Sequence, residues 1–319
     1  MKNNKVEIFF PGWTKKSVTF TIDDGNIKFD TKFLGILKPR GILGTFNLCE
    51  PNRATPDEYR ELYEGYEIAN HCKHHPLLFD EGQPFIVCDD ELDRLNSREY
   101  TEDDPVVYKT EVPGLYKIHN IPSRIKPDGW FSITDRENYY KFACETREAL
   151  EGIFGKGSVK SFVWPYREQK NELLFDSLVN AGYNSIRKTG ALGSSTEFDL
   201  PEDRMHWSYN AVAKTLLSTM EEYENFDDDG NLKFFCFGVH SYDFERDEKW
   251  DDLAEFAKKY GNRPEDYYYA TVSDIFEYED AVKALEITDT EVINNSDKTL
   301  YLKINGERIK LCSSSSFAI

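Results

Sequence analysis

A regular alternation of short β-rich runs with amphipathic helical stretches is the feature that most constrains how this chain can fold. Such alternation is typical of an α/β protein in which helices cover a parallel sheet or barrel. The predicted strands span residues 17–22, 44–48, 66–70, 159–164, 183–187, 234–238 and 268–271. The predicted helices, with apolar positions at helical spacing, span residues 30–37, 56–64, 136–154, 170–181, 211–223, 250–260 and 273–285. Seven strand–helix steps favour a barrel.

Two segments break this rhythm. Residues 79–134 are rich in charge, proline and glycine, and they are far longer than the roughly 2 to 6 residues usual for such a connection. After Leu285 the pattern becomes purely β-like, and Asn305-Gly306 is a strong signal for a two-residue hairpin turn. We therefore predict a barrel domain over residues 1–285, with an insertion at about 79–134. A small C-terminal β extension over residues 286–319 is expected to pack on it.

The acidic composition limits the partners of the chain. It contains 39 basic and 58 acidic residues, and its formal net charge of −19 repels nucleic acid and anionic lipid surfaces. Residues 1–16 contain no apolar stretch that could form the core of a signal peptide, and no later run approaches the roughly 18 apolar residues of a membrane span. We therefore expect no nucleic-acid or membrane partner and a cytoplasmic location.

Polar residues cluster just past the predicted strands, where a parallel α/β architecture places its reacting groups. Asp23 and Asp24 follow strand 17–22, and Gly25 allows the chain to turn tightly there. Taken alone, an Asp-Asp-Gly turn is a common way to end a strand. The end of strand 66–70 strengthens the functional interpretation.

That strand runs into His-Cys-Lys-His-His-Pro at residues 71–76, which contains three of the six histidines of the chain. In a helical turn, residues four apart share a face, so His71 and His75 could present two imidazoles to one ion. Asp24 could supply a third ligand, an oxygen. Histidine clusters also cap and solvate loop ends, and we expect His74, which is out of phase with the pair, to make a surface or outer contact.

Two further strand ends carry candidate residues. His240 follows the apolar strand 234–238, where a lone imidazole either points into a cleft or is a hydrogen-bonded core histidine. Trp164, Pro165 and Tyr166 close strand 159–164, where the aromatic ring could wall a pocket and the Tyr166 N–H could face it. Ordinary aromatic packing also explains this tripeptide.

Together these motifs resemble the polysaccharide deacetylase family, the NodB-homology carbohydrate esterases. The matching segments, in the family's order, are Thr-Ile-Asp-Asp-Gly at 21–25, His-Cys-Lys-His-His-Pro at 71–76, Trp-Pro-Tyr at 164–166 and Val-His-Ser at 239–241. The resemblance covers most of the chain and implies a distorted (β/α)7 barrel that performs metal-assisted hydrolysis.

The resemblance also implies roles for individual residues. Asp24, His71 and His75 would ligate a divalent metal ion, with Zn²⁺ the first choice and Co²⁺ or Ni²⁺ the alternatives. Asp23 would act as the general base and His240 as the general acid. In this scheme a metal that lowers the pKa of water supplies the nucleophile for an unreactive amide. The backbone N–H of Tyr166 would help to hold the oxyanion, with Trp164 and Pro165 beside it.

Two expected family features have no direct match. Many members have an arginine in the motif ending in Pro-Tyr, where it holds the catalytic aspartate, but this chain has Val163 or Trp164 there. We therefore expect another group to orient Asp23. The family's Asp-Trp motif, whose aspartate tunes the acid histidine, has His206-Trp207 as its nearest candidate.

These observations predict a hydrolase that removes an acetyl group from an N-acetylated sugar or glycan. One alternative keeps the barrel but cleaves an O-acetyl ester or a cyclic amide. Another is a non-catalytic carbohydrate-binding relic, whose lost motifs would reflect lost chemistry. The retained Asp23 and His240 speak against a relic, because a binding protein needs neither a base nor an acid beside a metal.

Overall fold

The computed structural model describes residues 5–78, 84–86, 106–109, 115–119, 132–134, 136–166, 168–169, 171–188, 198–226 and 229–319. The strands, in chain order, are β1 (Val6–Phe9), β2 (Lys16–Asp23), β3 (Thr45–Leu48), β4 (Glu67–Asn70), β5 (Pro76–Leu78), β6 (Pro84–Ile86), β7 (Val106–Lys109), β8 (Leu115–His119), β9 (Ser132–Thr134), β10 (Ser161–Val163), β11 (Ser185–Arg187), β12 (Lys233–His240), β13 (Tyr267–Tyr269), β14 (Leu285–Ile287), β15 (Glu291–Asn294), β16 (Leu300–Ile304), β17 (Glu307–Leu311) and β18 (Ser315–Ala318). The helices are α1 (Ile27–Leu37), α2 (Pro56–Leu62), α3 (Arg136–Phe154), α4 (Glu172–Asn180), α5 (Leu216–Glu224), α6 (Asp243–Arg246), α7 (Trp250–Tyr260) and α8 (Val272–Lys283).

A parallel sheet forms the centre of the fold. Its strand order is β11-β10-β4-β3-β2-β12, and β13 pairs with the first three residues of β2. Residues 207–211 link the two edges, because parallel bridges join Trp207 to Arg187 of β11 and Ala211 to Phe237 of β12. The sheet therefore curls into a distorted barrel, as the sequence predicts. The predicted helix 211–223 begins late, after a 3-10 turn at Ala213–Thr215, because the preceding residues complete the barrel wall.

The alternation of side chains along β2 separates a hydrophobic outer layer from a polar interior. Val18, Phe20 and Ile22 are fully buried in the main hydrophobic core, where Phe20 packs against Phe33 of α1 with 5.1 Å between ring centroids. The residues between them on β2, among them Thr21 and Asp23, are buried on the opposite face. This barrel interior therefore contains polar side chains that require hydrogen-bond partners.

Helix α8 lies at the end of the barrel where the strands begin. The Val272 N–H donates to the Thr45 hydroxyl at 3.2 Å, and the Ser273 N–H donates to the Glu67 carboxylate at 3.0 Å. Thr45 and Glu67 are the first residues of β3 and β4. These bonds use backbone donors that a helix N-terminus otherwise leaves unpaired. Helix α8 does not cover the opposite end of the barrel, where the strands end, and the candidate functional side chains lie there.

A small β appendage accompanies the barrel, as predicted. It contains two antiparallel sheets, with strand orders β1-β16-β17 and β14-β15-β18. The hairpin between β16 and β17 turns at Asn305 and Gly306, both with positive φ, which is the backbone that an Asn-Gly turn favours. The N-terminal strand β1, which the sequence pattern does not reveal, joins the first sheet. The division of the chain at residue 285 stays a prediction.

The predicted insertion at 79–134 is described only at four short strands, β6 to β9, of which β6, β7 and β8 form one antiparallel sheet. The rest of it lies outside the described residues. Among the helices in the described ranges, none has both the length and the hydrophobicity needed to span a membrane.

Candidate active site and metal centre

The candidate residues meet at the end of the barrel where the parallel strands finish. Asp23 is the last residue of β2, His71 directly follows β4, and His240 is the last residue of β12. Asp24 continues from β2 with φ of 76°, a left-handed conformation that turns the chain across the barrel mouth. The folding of three separate strands therefore brings these side chains to one place.

The histidine segment is a loop and not the helical turn that the spacing predicts. Cys72, His74 and His75 have positive φ values of 60°, 64° and 47°. Non-glycine residues rarely adopt this conformation, and its cost is of order 1 to 3 kcal/mol per residue. The fold over-rides local preference here, and the two imidazoles converge because of these turns.

Ion pairs hold this strained loop in place. The Lys73 ammonium lies 3.2 Å from the Glu145 carboxylate of α3 and 3.6 Å from that of Glu50. His74 lies 3.9 Å from Glu50 and packs its ring against Phe142 of α3. His74 thus makes an outer contact and is not part of the cluster described below.

Asp24, His71 and His75 form a cluster whose ligand atoms all lie within 4.8 Å of one another. Asp24 Oδ1 lies 3.5 Å from His71 Nε2 and 3.5 Å from His75 Nε2. Ligands held about 2.1 Å from a tetrahedral ion are roughly 3.4 Å apart, so this spacing suits a shared cation. Within the described part of the chain, Asp24 Oδ1 and His71 Nε2 are buried without a hydrogen-bond partner, as expected for atoms aimed at an ion.

The tautomer of His71 also suits metal binding. Its Nδ1 lies 3.0 Å from the Val163 carbonyl oxygen, which can only accept, so Nδ1 carries the proton. The lone pair of Nε2 then points toward Asp24. A backbone carbonyl that fixes the tautomer in this way is a common outer support of a metal-binding histidine. The residues present therefore fit a divalent ion.

Asp23 is held by Arg187 of β11 and by Asn47 of β3. The buried Arg187 guanidinium donates to Asp23 Oδ1, and the Asn47 amide donates to the same oxygen at 2.6 Å. Burial alone would raise the pKa of Asp23, but the charge of Arg187, together with His71 and His240, holds it below its usual range. Asp23 is therefore ionised at neutral pH.

His240 is oriented by a carboxylate three residues further along the chain. Its Nδ1 lies 3.1 Å from Asp243 Oδ2, and its Nε2 lies 3.7 Å from Asp24 Oδ2. Burial lowers the pKa of His240, but the hydrogen bond to Asp243 and the charges of Asp24 and Asp23 outweigh it and raise the pKa to about 9. The imidazole therefore carries a proton at neutral pH.

Tyr242 connects the cluster of Asp24, His71 and His75 to His240. Its hydroxyl donates to Asp24 Oδ2 at 2.9 Å, and its ring stacks on His240 with centroids 4.7 Å apart and planes inclined by 14°. One oxygen of Asp24 thus faces the two histidines, while the other accepts from Tyr242. This contact supports Asp24 from outside the cluster.

The three residues of the Trp-Pro-Tyr segment lie in different places, with Tyr166 at the site and the other two buried. Tyr166 has φ of 58°, is 36 % exposed and packs its ring on His75 at 4.4 Å, so it lies at the rim of the site. Trp164 is fully buried against Tyr139 and Phe162 and does not wall a pocket. Pro165 is also buried.

The structure does not bring His206 or Trp207 to the cluster. His206 stacks on Phe175 of α4 and lies 2.8 Å from Asp203, on the outside of the barrel. The Trp207 ring is buried against Phe234 and Phe276. It belongs to a second hydrophobic core, which is formed largely by side chains of α8 and of the appendage strands β15, β16 and β17. The sequence suggested that these two residues could support His240 from outside the cluster. In the structure, the carboxylate that contacts His240 Nδ1 is that of Asp243.

Sequence reasoning missed Arg187, Asp243 and Tyr242. Arg187 ends a predicted strand, as the candidate residues do, and that position was a usable signal. Asp243 and Tyr242 lie within three residues of His240, but short-range spacing alone does not show which of them faces it.

Comparison with known proteins agrees with this geometry. The profile of a family described as polysaccharide deacetylase matches residues 12–186, more than half of the chain. The chain belongs to the polysaccharide deacetylase family. Membership makes it a hydrolase of the deacetylase type. No curated protein matches the sequence closely enough to count as a relative.

The chain is also similar to several solved structures. A Mycobacterium smegmatis protein described as a polysaccharide deacetylase is 16% identical with a TM-score of 0.52, over 87% of this chain and 94% of its own. A chitin deacetylase from Colletotrichum lindemuthianum is 16% identical with a TM-score of 0.43, over 84% and 88%. A family 4 acetyl xylan esterase from Clostridium thermocellum, in complex with a cobalt ion, is 14% identical with a TM-score of 0.42, over 82% and 89%. The first of these, with a TM-score above 0.5, shows a shared fold.

Replacing Tyr242 with phenylalanine should weaken metal binding. The substitution keeps the ring that stacks on His240 but removes the hydrogen bond to Asp24, and loss of such outer contacts typically costs roughly 10- to 100-fold in affinity. Competition for Zn²⁺ against a chromophoric chelator measures the effect. Tyr278→Phe, which removes a hydroxyl bonded to the Phe9 carbonyl in the second core, serves as the matched control and should bind Zn²⁺ normally. Equal affinities for all three proteins would contradict the role of Tyr242.

A buried carboxyl group supports the loop that carries His240. Asp30 of α1 is fully buried and accepts hydrogen bonds from the hydroxyls of Tyr63 and Ser241. Burial raises the pKa of Asp30 to about 7, although the two hydroxyls act in the opposite direction. The unfolded chain would have an aspartate pKa of about 3.9. The folded protein therefore holds a proton on Asp30 that the unfolded chain releases between these two values.

This difference predicts a stability that falls as pH rises. The contribution of Asp30 should be complete below about pH 4, decline through the interval to about pH 7, and stay constant above it, with a total change of a few kcal/mol. Urea unfolding of the metal-free protein and of Asp30→Asn across this range measures it, because the asparagine variant lacks the titration. A difference between the two proteins that does not change with pH would contradict the prediction.

Proposed function

We propose that this protein is a metal-dependent hydrolase that removes the acetyl group from an N-acetylated sugar or glycan. The single observation that carries the proposal is the convergence of five groups at one barrel end. Asp24, His71 and His75 form the ligand cluster. Asp23 and His240 are beside it and are each held by their own partner. A metal site needs no such flanking pair unless it also moves protons.

In the metal-free protein Asp23 is ionised and His240 is protonated, which are the states that hydrolysis needs. A divalent ion in this cluster supplies Lewis acidity, which activates water near neutral pH and polarises an acetyl carbonyl. Asp23 accepts a proton from the attacking water, a contribution of roughly 10²- to 10⁴-fold in rate. Arg187 and Asn47 both bind its Oδ1, so we assign Oδ2 to the proton transfer.

His240 completes the reaction by donating its proton to the departing nitrogen. As the bond between the acetyl carbon and nitrogen breaks, the water oxygen has bonded to that carbon, and the products are acetate and a free amine. An amine that leaves without a proton is a poor leaving group, so a protonated imidazole is required. Asp243 holds the imidazole in place through Nδ1, which leaves Nε2 to face the site. Tyr166, at the rim beside His75, is the residue we assign to the oxyanion through its N–H.

The alternatives are less well supported. A carbohydrate-binding relic was suggested by two missing family features, but Arg187 binds Asp23 and Asp243 binds His240 in their place. Hydrolysis of an O-acetyl ester or a cyclic amide would require the same side chains. Turnover of those substrates, without turnover of N-acetylated sugars, would favour that alternative. The two-histidine, one-carboxylate set favours Zn²⁺, with Co²⁺ or Ni²⁺ as substitutes. Zinc and a cytoplasmic location remain predictions from the sequence.

The purified protein should release acetate from N-acetylated oligosaccharides, lose that activity on chelation and regain it with Zn²⁺, Co²⁺ or Ni²⁺. Acetate is measured by a coupled assay over a panel that includes O-acetylated sugars and cyclic amides. His75→Ala should lose both metal and activity, whereas His206→Ala, which changes a histidine outside the cluster, should retain both. No acetate from any N-acetylated substrate under any of these metals would defeat the proposal.

The contact between Arg187 and Asp23 should matter only when Asp23 is a carboxylate. Asp23→Asn should lower kcat by roughly 10²- to 10⁴-fold and leave Zn²⁺ bound. Arg187→Met should also lower kcat, but it should add little in the Asp23→Asn background, because the charge it orients is already gone. Arg204→Met, which removes an ion pair with Glu279 on α8, is the control for a lost arginine. Additive losses in the double variant would show that Arg187 acts elsewhere.

A further inference from the structure

The appendage presents a face that the proposed chemistry does not use. This is the outer face of the β1-β16-β17 sheet. Strand pairing sets its residues in two rows, namely Phe9, Tyr301 and Lys310, then Glu7, Lys303 and Arg308. Side chains alternate between the faces of a strand, and the intervening residues Ile8, Leu302 and Ile309 pack into the second hydrophobic core. The two rows therefore point away from that core.

Aromatic rings form the centre of this face. Trp13, in the turn before β2, places its ring 5.2 Å from that of Tyr301 and 6.1 Å from that of Phe9. All three rings are partly exposed. The Trp13 backbone has φ of 71°, an unusual conformation for a large residue, and this turn brings the indole onto the sheet. We call Phe9, Trp13, Tyr301, Lys303, Arg308 and Lys310 the aromatic–basic face.

Positive charge surrounds these rings. The Arg308 guanidinium lies 5.1 Å from the Trp13 ring centroid, and the Lys310 ammonium lies 5.2 Å from that of Tyr301. Among the residues that the structure describes, Lys303, Arg308 and Lys310 have no ion-pair partner within 4 Å, and Glu7 is itself paired with Lys5 at 3.1 Å. This face therefore carries more positive than negative charge, although the chain as a whole has a net charge of −19.

Shielding of the rings does not account for the whole arrangement. A lysine or arginine over an aromatic face gains about 0.5 to 1 kcal/mol at an exposed site, and its stem covers apolar surface. That explains Arg308 and Lys310 individually. Lys303 lies between Glu7 of β1 and Arg308 of β17 in its row. Glu7, which also pairs with Lys5, offsets only part of the positive charge, so Lys303 and Arg308 on neighbouring strands still repel each other. An anionic ligand would remove that repulsion.

We propose that the aromatic–basic face binds an acidic glycan, a polysaccharide that carries carboxylate groups. The apolar faces of sugar rings pack on aromatic rings, and a guanidinium pairs with carboxylates through parallel hydrogen bonds. Nucleic acid has the same two features but carries one charge for about every 1.7 Å of duplex, which a chain of −19 repels strongly. A glycan with a carboxylate on alternate sugars has more widely spaced charge and suits a small basic face on an acidic protein.

This face is separate from the catalytic end of the barrel. Trp13 and Arg308 lie near the start of β2, whereas Asp23 is its last residue. A strand of eight residues spans roughly 25 Å. A glycan bound to the face therefore anchors the protein to a polymer and does not enter the active site directly. This binding does not depend on the proposed function.

Binding of fluorescently labelled hyaluronan, which alternates carboxylated and N-acetylated sugars, tests the proposal on the full chain at low ionic strength. Arg308→Ala with Lys310→Ala should weaken binding about tenfold and reduce its salt dependence, because two cationic contacts are lost. Tyr301→Leu should weaken binding while keeping the charge. Lys258→Ala with Lys259→Ala, on exposed positions of α7, makes the same change in net charge and should bind like the unaltered protein.

The same variants separate this inference from the catalytic proposal. Acetate release from a short neutral N-acetylated oligosaccharide should be equal in the unaltered and doubly substituted proteins. No hyaluronan binding, or binding unaffected by the Arg308 and Lys310 substitutions, would overturn the inference whatever the activity. Binding of duplex DNA that is as tight as that of hyaluronan and insensitive to Tyr301→Leu would also overturn it, since that result describes a general polyanion surface.

Discussion

The buried ion pair between Arg187 and Asp23 is the contact on which the site depends. Both side chains are almost fully buried in the polar interior of the barrel, so each charge relies on the other for compensation. Removing one partner of such a pair typically costs about 3 to 5 kcal/mol, because the remaining charge has lost its solvent and its partner. Asn47 adds an amide donor to Asp23 and to Thr21, which fixes the carboxylate further. The polar interior of the barrel is therefore built around an ionised aspartate.

The parallel arrangement of the strands explains which parts of the site the sequence could predict. The C-terminal ends of parallel strands meet at one edge, so the positions of Asp24 and His71 at strand ends indicated that they converge. For His240 the same position left a core histidine open, and the family resemblance favoured the site. The arginine that holds Asp23 was expected near Val163 and was absent there. In the sheet, Val163 of β10 pairs directly with Arg187 of β11, so the guanidinium comes from the adjacent strand at the same level. Pairing register is a tertiary property that no single segment of sequence contains.

Local backbone geometry explains what the sequence could not predict. The spacing of His71 and His75 suggested a helical turn, but Cys72, His74 and His75 are left-handed, and propensity does not favour that conformation for such residues. Lys73, which lies between them in the chain, forms ion pairs with Glu50 and Glu145 from distant segments. The wall at residues 207–211 is similar, since it links β11 to β12, whereas the sequence pattern predicted no strand there and a helix that begins at residue 211. In both places, contacts in the tertiary structure outweigh the local conformational preference of the residues.

The two carboxylate oxygens of Asp24 contact different residues of the site. Its Oδ1 faces His71 and His75, while its Oδ2 accepts from Tyr242 and lies near His240. A carboxylate that turned freely could offer both oxygens to an ion, and Oδ2 would then no longer face His240. The Tyr242 hydroxyl opposes that rotation, and its ring holds the imidazole plane by stacking. The two histidines of the candidate ligand cluster and His240 are thus kept apart, although a single carboxylate contacts all three.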